Sequence, residues 1–164
     1  MKDLERSTRI LHLRPARFED RGLIWRWANE SGVRAASFHP EAISWEEHSR
    51  WFTACLQNEH CIIFIAEDEG GKAVGQVRFE RTEKSVRVSI SVDPTCRSRG
   101  YGSSILREGL MVIAREQDVR TVHACVKNEN APSIRLFLGC GFVPAGTETI
   151  EGFSAVHLVW TRKA

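Results

Sequence analysis

The chain has few of the features that mark metal-binding, membrane or nucleic-acid-binding proteins. Its five cysteines form no Cys-x-x-Cys pair and have no His-rich ligand spacing near them, so no metal is expected. Their odd number within apolar segments predicts reduced thiols in a cytoplasmic protein. No apolar run is long enough to span a membrane, and the charged N-terminus has no signal-peptide core. A net charge of +2, with scattered arginines, gives no reason to expect nucleic acid as a partner.

The loop Arg97–Ser104 is the most informative segment, because it joins two different periodicities. Apolar and polar residues alternate over Val86–Val92, as in a strand, and apolar residues repeat at helical spacing over Ile105–Ile113. The two glycines of the loop allow a tight turn that presents backbone N–H groups to an anion at a helix N-terminus. The loop has no Gly-Lys-Ser/Thr, and Ile105 occupies the place of the third glycine of a dinucleotide fingerprint. The pattern predicts a phosphate-binding loop of another type.

A second motif follows further along the chain. Asn130 is a good helix cap, Pro132 is tolerated in the first turn, and Gly141-Phe142 follows the predicted helix. Together, the Arg-x-x-Gly-x-Gly loop and this Asn-x-x-Ser segment resemble the signatures of the Gcn5-related N-acetyltransferases (GNAT). The resemblance implies an enzyme that moves the acetyl group of acetyl-CoA to a primary amine. It implies that the cofactor is bound by Ile90, Ser91, Val92, Arg97, Ser98, Arg99, Gly100, Tyr101, Gly102, Ser103, Asn130, Ser133 and Phe137.

The order of the predicted elements also fits that family. A capping box at Ser44-Trp45-Glu46-Glu47 opens one helix, and a helix is expected over 18–30. Strands are expected near 10–15, 61–66, 73–80, 86–92 and 119–126, then at Val143 and over 153–160, the last two joined through Gly146-Thr147-Glu148. The resemblance implies an α/β fold, a mixed twisted sheet of about seven strands with helices on both faces. Residues 1–164 are expected to form a single acetyltransferase domain.

In the GNAT fold the fourth and fifth strands separate, and the pantetheine arm lies between them. By resemblance, a backbone N–H near Val92 polarises the thioester carbonyl. The chain departs from the family at the usual acid and base, because Phe137 replaces a common tyrosine and Cys125 and Arg87 replace a common glutamate. Two alternatives to a side-chain base stay open, namely proton removal through water and an acceptor amine that is already neutral near pH 7. The candidate catalytic side chains are Glu80, His123 and His39.

The N-terminal third resembles acetyltransferases that act on the 4-amino group of UDP-linked sugars in nonulosonic acid pathways. This resemblance implies a nucleotide-sugar acceptor bound by Trp27, Arg34, His39 and Arg78, with both arginines on the diphosphate. Leu13-Arg14-Pro15 is also similar to the opening of ribosomal-protein N-terminal acetyltransferases, which keeps a peptide acceptor open. A non-catalytic acyl-CoA-binding module is a further alternative, because the usual acid and base are missing. A homodimer is possible.

Overall fold

The computed structural model describes residues 9–83 and 85–164. The charged N-terminal residues and Lys84, in the turn predicted after the third strand, lie outside the described residues. Seven strands form one sheet in the order β1-β2-β3-β4-β5-β7-β6. Their bounds are β1 (Leu11–Pro15), β2 (Cys61–Asp68), β3 (Ala73–Arg81), β4 (Val86–Val92), β5 (Thr121–Lys127), β6 (Val143–Ile150) and β7 (Phe153–Thr161).

The sheet is mixed, as predicted. Neighbouring strands are antiparallel, except that β4 and β5 are parallel. A parallel pair needs a crossover, and the segment between β4 and β5 contains a helix that packs on the sheet. The helices are α1 (Arg21–Asn29), α2 (Ser31–Ala36), α3 (Trp45–Leu56), α4 (Tyr101–Ile113) and α5 (Ala131–Gly139).

The helices cover both faces of the sheet and bury two apolar clusters. On one face, α4 and α5 pack on β3, β4 and β5, and Gly109 lets α4 approach closely, since a Cβ there would lie 3.1 Å from Val77 and Phe79. On the other face, α1 and α3 pack Ile24, Trp27 and Phe52 against β2. Because α1 and α3 cover mainly the β2 side, Arg87 on β4 is exposed, and Glu80, His123 and Cys125 on the neighbouring strands are half-buried. We call the sheet surface around these four residues the open face.

Local signals placed some helix boundaries and missed others. The Ser44 hydroxyl accepts a hydrogen bond from the Glu47 N–H at 3.1 Å, so α3 starts at the predicted capping box. The single helix expected over 18–30 begins as a short 3-10 turn, and α2 follows it immediately. Helix α2 was not predicted; its N-cap is Glu30, whose carboxylate accepts a hydrogen bond from the Val33 N–H at 3.1 Å.

Two expectations need correction. The polar stretch Gly146-Thr147-Glu148 lies inside β6, and the turn to β7 is at Glu151-Gly152, where both residues have positive φ (49° and 80°). The structure joins Cys55 and Cys61 in a disulfide between α3 and β2, so the expectation of reduced thiols is wrong for this pair. Within the described ranges, no helix is long and apolar enough to cross a membrane.

Candidate active site

The central feature of the site is a gap between β4 and β5. These strands pair only at Val86–Val122 and Arg87–His123, and then diverge. The Asp93 N–H donates to the Val74 carbonyl at 2.8 Å, which fixes the alternation of hydrogen bonds along β4. By this alternation Ile90 and Val92 direct their backbone groups into the gap.

The expectation that Ser91 also supplies backbone pairings to the cofactor needs correction. Ser91 lies opposite Gln76 in the register with β3, and the alternation along β4 directs its N–H and C=O to β3. Its contribution to the site is therefore limited to the side chain. The Ser91 hydroxyl and the neighbouring Gln76 Oε1 are buried and have no hydrogen-bond partner in the described structure.

The loop after β4 forms an anion cradle. Ser98 and Gly100 have φ of 61° and 84°, the left-handed conformation that turns successive N–H groups to one side. Within the described structure no side chain caps α4, so the N–H groups of its first turn, at Tyr101, Gly102 and Ser103, face outward uncapped. A Cβ at Gly102 would lie 3.3 Å from Leu136, so the glycine lets the start of α4 pack closely against α5. These features fit the pyrophosphate of acetyl-CoA.

Arg97 is held at the edge of the cradle by its own contacts. Its Nη2 lies 2.7 Å from Glu30 Oε2, and its Nε donates to the Val92 carbonyl at 3.3 Å. The Arg97 guanidinium lowers the pKa of Glu30 to about 2. The Arg99 side chain is exposed, while its carbonyl accepts a bond from Arg9 Nε at 2.7 Å. Cradle and α2 are therefore linked through one ion pair.

The second predicted motif lies where the sequence placed it, but Phe137 does not line the gap. Asn130 Oδ1 caps α5 by accepting from the Ser133 N–H at 3.3 Å. Phe137 is only 4% exposed, and its ring meets the Phe142 ring edge-on at 5.0 Å. The expected cofactor contact through Phe137 is thus replaced by a core contact, because the side chain points into the cluster beneath α4 and α5.

Polar side chains on the open face form a row across three strands. Glu80 lies opposite Arg87, and Arg87 lies opposite His123. Arg78 Nε is 2.7 Å from Glu80 Oε1, at an angle that makes this an ion pair without a hydrogen bond. The Arg78 guanidinium also lies 5.0 Å from the Trp51 ring centroid. The row lies at the closed end of the gap.

His123 has a partner that sequence reasoning missed. Its Nδ1 is 2.8 Å from Nε2 of His157 on β7, and its Nε2 is 3.2 Å from the Thr121 hydroxyl. Burial, together with the charge of His157, lowers the pKa of His123 below its ordinary value. The pairing of β5 with β7 is remote in sequence, so only alternation within each strand could have pointed to it.

Cys125, beside His123 on the same strand, is not activated. Its thiol donates to Glu148 Oε1 at 3.1 Å, and burial and this carboxylate raise its pKa to about 11. The thiol is protonated near neutral pH, which argues against a nucleophilic role. In the part of the chain that the structure describes, no cluster of His, Cys, Asp or Glu side chains is arranged to hold a metal ion.

The predicted acceptor residues are only partly brought together. Trp27 is 4% exposed and donates from Nε1 to Asp93 at 2.8 Å, so it belongs to the core and has no free face for a base. Arg34 donates to the carbonyls of Ala28 at 2.6 Å and His39 at 2.7 Å, which fastens its own loop. His39 is exposed on that loop, and Arg78 lies on the open face.

The comparisons with known proteins agree with this geometry. The acetyltransferase (GNAT) domain family matches residues 11–143. A Bacillus subtilis protein with the provisional name phosphinothricin acetyltransferase is 32% identical over 119 residues, which cover 69% of this chain and 71% of that protein. A crystal structure described as a provisional phosphinothricin N-acetyltransferase has a TM-score of 0.77 at 28% identity, over 93% of this chain and 98% of that one.

The fold is also shared with a more distant enzyme. Spermidine N-acetyltransferase from Vibrio cholerae, solved with CoA and spermine, has a TM-score of 0.82 at 19% identity, over 92% of this chain and 95% of that one. The separated strands, the anion cradle and the family match therefore point to the same family. The chain belongs to the GNAT acetyltransferase family and is an acetyl-CoA-dependent N-acetyltransferase.

Proposed function

We propose that this enzyme acetylates the primary amine of a small molecule that also carries an anionic group. The observation that carries the proposal is the charge of the open face. Arg78 lies there in an ion pair with Glu80, and Arg87 is exposed and makes no ion pair among the described residues. Arg87 could therefore pair with an anionic group of the acceptor, whereas a polycationic amine would be repelled by it.

The donor site is built from the residues around the gap. Ile90 and Val92 would pair with the pantetheine amides, the cradle would hold the pyrophosphate, and by the family resemblance Asn130 would lie beside both. Acetyl-CoA supplies an activated acetyl group at the closed end of the gap, where the Glu80–Arg87–His123 row lies. An acceptor that enters over the open face would bring its amine to this row.

Two kinds of acceptor carry both a primary amine and an anionic group, and the observations support them to different degrees. An amino acid such as phosphinothricin is favoured by the provisional names of two relatives, one at 32% and one at 28% identity. A UDP-linked 4-amino sugar, the acceptor that the sequence resemblance implies, is supported by Arg78 on the open face. It has less support from Trp27 and Arg34, whose polar groups are used within the fold.

The test is a panel of amines assayed by CoA release. It contains phosphinothricin, a UDP-4-amino-4,6-dideoxy sugar, spermidine, an aminoglycoside and a short peptide with a free α-amine. The first two should have the highest kcat/KM. A preference for spermidine or the aminoglycoside would refute the proposal, and a preference for the peptide would favour the N-terminal acetyltransferase alternative.

Charge removal on the open face provides a second readout. Arg78→Gln should raise the KM for the acceptor by about tenfold and leave kcat nearly unchanged, as expected for lost ground-state binding. Arg115→Gln, at an exposed position just after α4, is the matched control and should change neither constant. An unchanged KM in Arg78→Gln would exclude Arg78 from acceptor binding.

A further inference from the structure

The paired rings of His123 and His157 stand out because they share one hydrogen bond at the closed end of the gap. The distance of 2.8 Å between His123 Nδ1 and His157 Nε2 requires one nitrogen to donate and the other to accept. The rings are nearly stacked, with centroids 5.1 Å apart and planes 25° apart. Both side chains are half-buried, so the pair is in contact with the face over which an acceptor would enter.

We infer that His123 accepts a proton from the acceptor amine at Nε2, and that His157 is a positioning residue that holds His123 in the reactive tautomer. This inference rests on the proposed function for the presence of an amine at the closed end of the gap. It adds the route by which the chain compensates for its missing family base.

The tautomers follow from the hydrogen bonds. When His123 Nδ1–H donates to His157 Nε2, the second ring nitrogen of His123 carries a lone pair beside the Thr121 hydroxyl, 3.2 Å away. That lone pair forms the new N–H bond as the N–H bond of the amine breaks. The His123 imidazolium then gives its Nε2 proton to water, which restores the starting tautomers, and the departing thiolate takes a proton from water. The proton lost by the amine thus equals the one gained by the thiol.

The surroundings disfavour protonation of His123. His123 is faced by the charged or titratable groups of every neighbouring strand, namely Glu80 on β3, Arg87 on β4, Cys125 on β5, Glu148 on β6 and His157 on β7. Burial disfavours the imidazolium form of His123, and the charge of His157 disfavours it further, so the pKa of His123 lies below its ordinary value.

The test combines kinetics with nuclear magnetic resonance of the histidine rings. His123→Asn should lower kcat by about 10²-fold or more, the range of general base catalysis. His157→Asn keeps a hydrogen-bond acceptor for Nδ1 but removes the like charge, so the pKa of His123 rises. Activity is lost as pH falls through that pKa, and therefore the acid limb of kcat/KM should move to higher pH.

The ring titration gives a readout that does not depend on activity. In the wild-type protein the 15N shifts of the His123 ring should titrate at lower pH than in His157→Asn, because the charge of His157 lowers the pKa of His123. His60→Asn, at a side chain 62% exposed, is the control and should change neither profile. A His123 titration or an acid limb unmoved in His157→Asn would overturn the inference. Kinetics are run with whichever amine of the panel reacts fastest, so a failed anion preference leaves this test intact.

Discussion

At the scale of single residues, Gly102 is the position of the donor site where we expect a side chain to be tolerated least. A valine here would bring its side chain against Leu136, 3.3 Å from the Cβ position, and should displace the first turn of α4 with its uncapped N–H groups. Losing two charge-assisted hydrogen bonds of about 1.5 kcal/mol each weakens binding by about 100-fold. Calorimetric titration of Gly102→Val with CoA should show this loss. Gly22→Val, whose Cβ would meet only Arg26 at 3.8 Å, is the control, and equal affinity in both variants would contradict the cradle.

Phe137 is the residue at which this chain differs most visibly from its family. Because the ring is buried against Phe142, a tyrosine hydroxyl there would be placed among apolar groups without a partner. Phe137→Tyr should therefore lower the free energy of unfolding by about 1–3 kcal/mol. It should leave kcat within about twofold. Phe18→Tyr, at a ring 51% exposed, should be neutral in chemical denaturation. A tenfold rise in kcat for Phe137→Tyr would show that this position does reach the departing thiol.

At the scale of elements, helix α2 is tied to both sides of the gap. Its N-cap Glu30 pairs with Arg97 after β4, and the carbonyl of Ala35 accepts from the buried ammonium of Lys127 at the end of β5 at 3.0 Å. Lys127 is 3% exposed, and its Nζ lies 3.6 Å from the centroid of the Phe153 ring. The short helix thus bridges the two strands between which we propose that the donor binds.

We expect the Glu30–Arg97 pair to compete with the cofactor for the Arg97 guanidinium. Glu30→Gln removes the charge that holds Arg97 and frees it for the pyrophosphate, so CoA should bind several-fold more tightly, with a steeper dependence on salt. The same change weakens the α2 cap and should slightly lower the melting temperature. Glu46→Gln, an exposed acid in the first turn of α3, is the matched control in titrations at two salt concentrations. Unchanged affinity in Glu30→Gln would show that Arg97 takes no part in anion binding.

Which elements the sequence could predict depended on whether their signals were local. The capping box at Ser44 and the alternation over Val86–Val92 involve near neighbours, and α3 and β4 appear as predicted. Helix α2 has only six residues, too few for an apolar period, and its cap is a glutamate that depends on a distant arginine. The His123–His157 contact joins strands 34 residues apart. Trp27 and Arg34 resemble ligand-binding residues by type, yet the fold uses their polar groups internally.

At the scale of the whole molecule, one sheet carries both apolar clusters, which predicts a single cooperative unit over the described chain. Phe52 is fully buried in the cluster of α1 and α3, and Leu106 is fully buried in the cluster of α4 and α5. Replacing either with alanine leaves a cavity and should lower the free energy of unfolding, by about 3–5 kcal/mol for Phe52→Ala and about 2–5 kcal/mol for Leu106→Ala.

Because β2 and β3 carry side chains of both clusters on opposite faces, neither cluster can unfold while the other keeps its strands. Scanning calorimetry of both variants should therefore show one transition, with equal calorimetric and van't Hoff enthalpies. Saturating CoA should raise the midpoint temperature of that single transition in the wild type and in Phe52→Ala alike, since the ligand stabilises the whole folded state. Trp45→Ala, at a ring 37% exposed in α3, is the control for loss of an aromatic side chain outside the core. Two transitions in Phe52→Ala, of which only one responds to CoA, would show that helices α1 and α3 unfold as a separate unit.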